Sequence, residues 1–127
     1  MLGEFGRGGT GDYAACMARK QIEVIARGAW QEQGKLLVCR SLAGGHIYLP
    51  GGHVEFDEPA SAALEREMLE ETGWRVRAGG LIATVESRFT QPGSKTGKPK
   101  PHHEINLVFS ITPLSTPALY LKCFAWI

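Results

Sequence analysis

Residues 52–74 read GHVEFDEPASAALEREMLEETGW, and the second half of this stretch decides the fold. After Pro59 the residues are mostly Ala, Leu, Met, Glu and Arg, all strong helix formers. Asp57 or Glu58 can cap the start, Pro59 fits the first turn, and Gly73 stops the run. The pattern predicts one helix over about 58–72. Glu67, Glu70 and Glu71 then stand at i, i+3 and i+4, on one face within an arc of about 100°. Ala60 and Ala63 lie on the same arc one to two turns earlier and leave room for something to approach. Leu64 and Met68 form the adjacent apolar stripe that anchors the helix to a sheet. Glu65 points away on the far side.

Three carboxylates on one helix face repel one another and cost helix stability. A core does not choose them either, because unpaired buried carboxylates are expensive. Taken alone, Glu65 to Glu71 is a solvated face with ordinary ion pairs, Arg66 bonding Glu70 or Glu58. A bound hard divalent cation resolves the repulsion. Magnesium prefers oxygen ligands, keeps several waters and bridges to phosphate oxygens. Just upstream, Gly51-Gly52 offers a backbone without side chains that can approach a metal or a phosphate.

Outward from the helix the chain alternates between strands and breaks. Gln21 to Ala29 and Leu36 to Ser41 read as strands joined through the turn Gln31 to Lys35, a hairpin. His46 to Leu49 is a short strand running into the glycine loop Pro50-Gly51-Gly52. Beyond the helix, Trp74 to Arg77 and Leu81 to Thr90 read as strands around the break Ala78-Gly79-Gly80. Gln91 to Pro101 is a loop and Glu104 to Thr112 a last strand. The order β-β-β-α-β-β-β with one central helix suggests an α/β fold, a mixed sheet with helical cover rather than a doubly wound sheet.

The string 52–74 fits the pattern G-x5-E-x7-R-E-U-x-E-E-x-G-U at every fixed position: Gly52, Glu58, Arg66, Glu67, Glu70, Glu71 and Gly73. Met68 and Trp74 fill the two apolar positions, Trp74 more bulkily than the usual aliphatic residue. This string resembles the Nudix box of the Nudix hydrolase family, and the strand order on both sides is similar too. The resemblance implies a Nudix α/β/α sandwich and hydrolysis of a nucleoside diphosphate linked to another group. It implies magnesium (manganese as the alternative) on Glu67, Glu70, Glu71 and the Gly51 carbonyl, with Glu67 also a candidate base. Glu58 and Arg66 would tie loop to helix by a salt bridge, and Gly52 and Gly73 would be structural. The rival reading within the family is an idle domain that binds a nucleotide as sensor or scaffold, which has no need for a full set of glutamates. The family also usually carries a substantial C-terminal helix. Here Pro113 to Ile127 is short and apolar, with at most two helical turns over Ala118 to Trp126, and reads as a truncated end.

Composition narrows the partners. The 127 residues are 43% hydrophobic and 21% charged, enough apolar chain for one domain to fold on its own core. A net charge of +1 gives no bulk case for a nucleic acid or membrane partner, capped RNA being the exception the family allows. No apolar run is long enough to span a bilayer. Met1 to Ala15 is glycine-rich and polar where a secretory signal is apolar. The expectation is a disordered tail over 1–16 and a single Nudix domain over 17–127. Cys16, Cys39 and Cys123 form no CxxC pair, which fits a reducing cytosol and a cytoplasmic protein.

Outside the helix the candidates are fewer. Gly93 to Lys98 is one residue short of a phosphate-binding P-loop, and Pro99 and Pro101 forbid the helix that should follow. Lys95 and Lys98 remain candidate contacts to a substrate phosphate. Adjacent strand residues face opposite ways, so His102, His103 and Glu104 cannot converge on one ion. Glu104 or Glu86 can supply an extra acidic group from outside the helix, as the family often does. His46 and His53 flank the glycine loop. The rings of Trp30, Tyr48, Phe89 and Phe109 read as core.

Overall fold

A computed structural model describes residues 21–41, 44–93, 97–115 and 124–126. The expected tail over 1–16 and the candidate Lys95 lie outside the described residues. The main sheet has the order β5-β1-β7-β6, with β1 (Ile22–Ala29), β5 (Gly51–His53), β6 (Arg75–Gln91) and β7 (Lys100–Ser115). It is mixed, because β1 runs parallel to β7 while β5 and β6 lie antiparallel to their neighbours. A smaller sheet joins β2 (Gln31–Glu32), β3 (Lys35–Arg40), β4 (Ile47–Tyr48) and β8 (Phe124–Trp126), with β8 antiparallel to β3.

The expected hairpin between Gln21–Ala29 and Leu36–Ser41 is not formed. Gln33 and Gly34 both take positive φ, so the tight turn closes β2 on β3, while β1 leaves to enter the main sheet. The glycine loop is also corrected: Gly51 and Gly52 belong to strand β5, paired with Arg27 and Ala26. The break at Ala78–Gly80 is absorbed as an irregularity inside β6, whose register on β7 shifts between Ala78 and Ala83. The loop expected over 91–101 shrinks, because β6 runs to Gln91 and β7 starts at Lys100.

The helix α1 spans Ala60–Thr72, starting two residues later than the sequence suggests. Pro59 occupies the N-cap without a side-chain cap, and the first helical bond runs from the Ala63 N–H to the Pro59 carbonyl at 2.9 Å. Asp57 is turned out of helical geometry at φ 64, and the Glu58 carboxylate is engaged elsewhere. Gly73 closes the helix in the left-handed conformation, its N–H bonding the Leu69 carbonyl at 3.0 Å. Among the described residues α1 is the one helix, and none is long and apolar enough to cross a membrane. The two turns expected over Ala118–Trp126 do not form at the far end, where 124–126 is strand; residues 116–123 lie outside the described ones.

The core joins both sheets to the helix. Ala26, Leu37, Ala63, Leu64, Met68, Trp74, Val76 and Ile111 form one buried cluster, with Trp30 edge-on to Trp74 at 5.5 Å. Leu64 and Met68 anchor α1 as their stripe suggests, each gaining about 1.5–3 kcal/mol by transfer from water. Ala63 is in this cluster, so it leaves no room for a ligand.

Candidate active site

Arg66 is the hub of the helix site. Its Nε and Nη2 donate to the two oxygens of Glu58 at 2.8 and 3.0 Å, a bidentate pair. Nη1 donates to Glu67 at 3.0 Å and to Glu70 at 3.2 Å, and Nη2 also reaches the His53 carbonyl at 3.2 Å. One guanidinium therefore ties the loop before α1, the end of β5 and two glutamates of the helix. The Arg66 bond holds the Glu58 carboxyl below its usual range, and Glu58 in turn pushes the guanidinium pKa further up. Sequence reasoning left Arg66 a choice between Glu58 and Glu70; it bonds both.

Two glycines fix where this cluster lies. A Cβ on Gly52 would occupy the place of the Glu67 carboxyl, so that carboxyl lies directly against the β5 backbone. Gly51 has φ 141, and a Cβ there would overlap the Ala26 carbonyl on β1. Glu67 is mostly covered, with 16% of its side chain exposed, whereas Glu70 is 59% exposed. Glu71 stands one helical turn beyond Glu67, half-buried. Glu65 does not stand free on the far side: its carboxylate accepts from the Ala78 N–H at 3.5 Å and links α1 to β6.

The opposite face of the main sheet carries a groove of about 860 Å³. Gly52 turns to the helix, and the next residue, His53, turns to this other face. There Glu23 accepts from His53 Nε2 and His102 Nδ1, both at 2.8 Å. These two bonds, His53 first, hold the Glu23 carboxyl below its usual range. Glu104, the register partner of Glu23 on β7, lies beside them and accepts from Asn106 Nδ2 at 3.5 Å. Arg27 donates through Nε to Asn106 at 3.2 Å and through Nη1 to the Leu49 carbonyl at 3.1 Å. The same guanidinium lies 5.8 Å from the Tyr48 ring.

Strand alternation separates the histidines as expected. His102 and Glu104 share the groove, while His103 faces the other way and bonds Glu86 at 3.0 Å, which lowers the Glu86 pKa. His46 and His53 both line the groove. Tyr48 and Phe89 are not core: they are 38% and 46% exposed and line the groove, Phe89 stacking on His102 at 5.0 Å. Trp30 and Phe109 do pack on the core. Lys98 is exposed between β6 and β7. The sequence reading passed over Glu23, Arg27 and Asn106. Their signal was present, since Glu23 and Arg27 interrupt an otherwise apolar strand at even spacing around Ile25 and so share its face.

Comparison with known proteins agrees with this architecture. The NUDIX domain family matches residues 19–120, and the chain belongs to that family. A MutT-like protein of Streptomyces ambofaciens is 43% identical over 57 residues, a stretch covering 45% of this chain but 37% of that protein. Many solved structures share the fold. The MutT protein of Methanosarcina mazei Go1 aligns at TM-score 0.63 and 24% identity, over 85% of this chain and 78% of that one. An ADP-ribose pyrophosphatase of Streptococcus suis 89-1591 aligns at TM-score 0.59 and 17% identity, over 84% and 73%.

Proposed function

We propose that the protein is a magnesium-dependent Nudix pyrophosphohydrolase that cleaves a nucleoside diphosphate linked to another group. The observation that carries this reading is the Glu67 carboxyl seated against Gly52, with Glu70 joined to it through Arg66. The fold shared with a structure named as an ADP-ribose pyrophosphatase supports the substrate class.

The donor chemistry of the helix glutamates suits a hard divalent cation. Glu67 and Glu70 both bring carboxylate oxygens to the Arg66 guanidinium, and a hard divalent cation takes such donors. Among the described residues, the acidic and histidine ligand atoms within 4.8 Å of one another are those of Glu23, His102 and Glu104 in the groove. Glu67, Glu70, Glu71 and the Gly51 carbonyl would hold the ion. When bound, magnesium neutralises the diphosphate and acidifies a water. Glu67 is the candidate base that removes the proton from the attacking water. Arg66 holds the Glu67 and Glu70 carboxylates in place and offsets part of their repulsion. The groove on the other face would take the nucleoside part, with Arg27 and Glu104 on its walls. Lys95 and Lys98 stand as candidate phosphate contacts.

A panel of nucleoside diphosphate derivatives, assayed with magnesium for released monophosphate, tests the proposal. Cleavage of at least one compound that stops with chelator is expected. No cleavage across the panel, with nucleotide still bound, would favour the idle binding domain.

A further inference from the structure

We propose that the outer edge of β6 pairs with the same edge of a second copy, forming a two-fold dimer with Ser87 on the axis. This goes beyond the hydrolase reading and does not depend on it. Strand β6 is the last strand of the main sheet, and among the described residues its outer edge pairs with no strand. All its register irregularities come before Ala83; from Ala83 to Gln91 it is regular against β7. Natural edges of this length are blunted by charged side chains, lysine above all, by proline, by a bulge or by a covering element. The two charges here, Glu86 and Arg88, are of opposite sign. The stretch 83–91, ATVESRFTQ, contains neither lysine nor proline, and it is free of bulges. Nearby Leu81, Ile82, Val85 and Phe89 stand 46–59% exposed.

The same stretch is complementary to itself when run antiparallel. With Ser87 facing Ser87, Glu86 faces Arg88 twice, Val85 faces Phe89 twice, and Thr84 faces Thr90 twice. Opposite charges, a branched chain against an aromatic ring, and paired threonines are each favoured cross-strand neighbours. A shift of one or two residues along the strand breaks the Glu86–Arg88 match, so charge selects this register. Glu86 and Arg88 are both exposed; Glu86 holds His103 at 3.0 Å through one carboxylate oxygen, which leaves the other for Arg88 of the second copy. Val85, Ser87 and Phe89 line the groove, so each copy would bring its Phe89 to the margin of the other's groove.

The test is sedimentation equilibrium of the whole chain, with a charge swap and a cysteine probe. Wild type is expected to sediment as a dimer at micromolar concentration, the weak end of the range for protein interfaces. Arg88→Glu sets like charges opposite one another and is expected to give monomer; Glu86→Arg with Arg88→Glu restores the match and the dimer. On mild oxidation Ser87→Cys is expected to cross-link to itself, since facing Cα atoms lie about 4.5–5.5 Å apart, within disulfide range. Thr90→Cys, about 20 Å from its copy in this register, is expected to give only the wild-type background. A wild type monomeric throughout, or a dimer untouched by Arg88→Glu with no Ser87→Cys cross-link, would overturn the proposal.

Discussion

Gly52 and Glu67 share one volume: the Glu67 carboxyl lies where a side chain on Gly52 would begin. This contact ties the strand before the helix to the candidate base on it. The obstructing atoms belong to the end of a flexible side chain, and Gly52 is absent from the positive-φ positions. Gly52→Ala is therefore expected to leave Tm nearly unchanged while displacing the carboxyl. A displacement of about 1 Å can cost about 10² in rate, so kcat should fall on that order. Gly51→Ala should behave differently. There the obstruction is the Ala26 backbone and φ is 141, so a clear loss of Tm is expected.

Arg66 makes a bidentate pair that lysine cannot copy. Arg66→Ala and Arg66→Lys are both expected to lower Tm. They should also lower activity by about 10–100-fold, the usual effect of losing a group that orients ligands. Wild-type kcat in Arg66→Lys would remove the positioning role.

The pH dependence of stability follows from Glu58. Its folded pKa is depressed below 4.5 by Arg66, so the unfolded chain binds the proton more readily. Stability from this group is complete above the unfolded pKa and is lost as pH falls through the folded one. Thermal melts between about pH 3 and 6 should show a wild-type Tm that falls on acidification. Glu58→Gln should have a lower Tm at neutral pH and a flatter acid limb. Glu23 and Glu86 are depressed as well, by histidine partners, and will leave part of the slope in place.

The helix, its Glu67/Glu70/Glu71 spacing and the mixed α/β sheet were legible because each rests on local pattern. The helix start was misplaced by two residues, since Glu58 looked like a cap but spends its carboxylate on Arg66, eight residues away. The glycine pair looked like a loop for a similar reason. Glycine discourages strands in general, and only the close approach of Ala26 and Glu67 explains why β5 needs it. Glu65 was read as facing solvent, and only the path of β6 reveals its bond to Ala78. The groove was hardest to see: Glu23, His53 and His102 come from three strands, and no spacing along the chain announces their meeting.

Metal binding should appear as stabilisation. Titrating magnesium is expected to raise Tm by relieving carboxylate repulsion, at millimolar concentrations typical of weak oxygen-ligand sites. The shift should shrink in Glu70→Gln and Glu71→Gln. A melting curve indifferent to magnesium and manganese would count against the carboxylates as ligands.

The most direct measurement is kcat for Glu67→Gln on whichever diphosphate the wild type cleaves. Glutamine keeps the length and shape of the side chain against Gly52 but loses the negative charge. Loss of a general base alone costs about 10² to 10⁴ in rate. The control is Glu32→Gln, an exposed position on β2 that removes the same charge; Glu65 cannot serve, because it bonds Ala78. The expected result is a fall of at least about 10² in kcat for Glu67→Gln, with circular dichroism unchanged and Glu32→Gln as active as wild type. Equal, near wild-type turnover in the two variants would contradict the hydrolase mechanism and leave the idle nucleotide-binding domain as the better account.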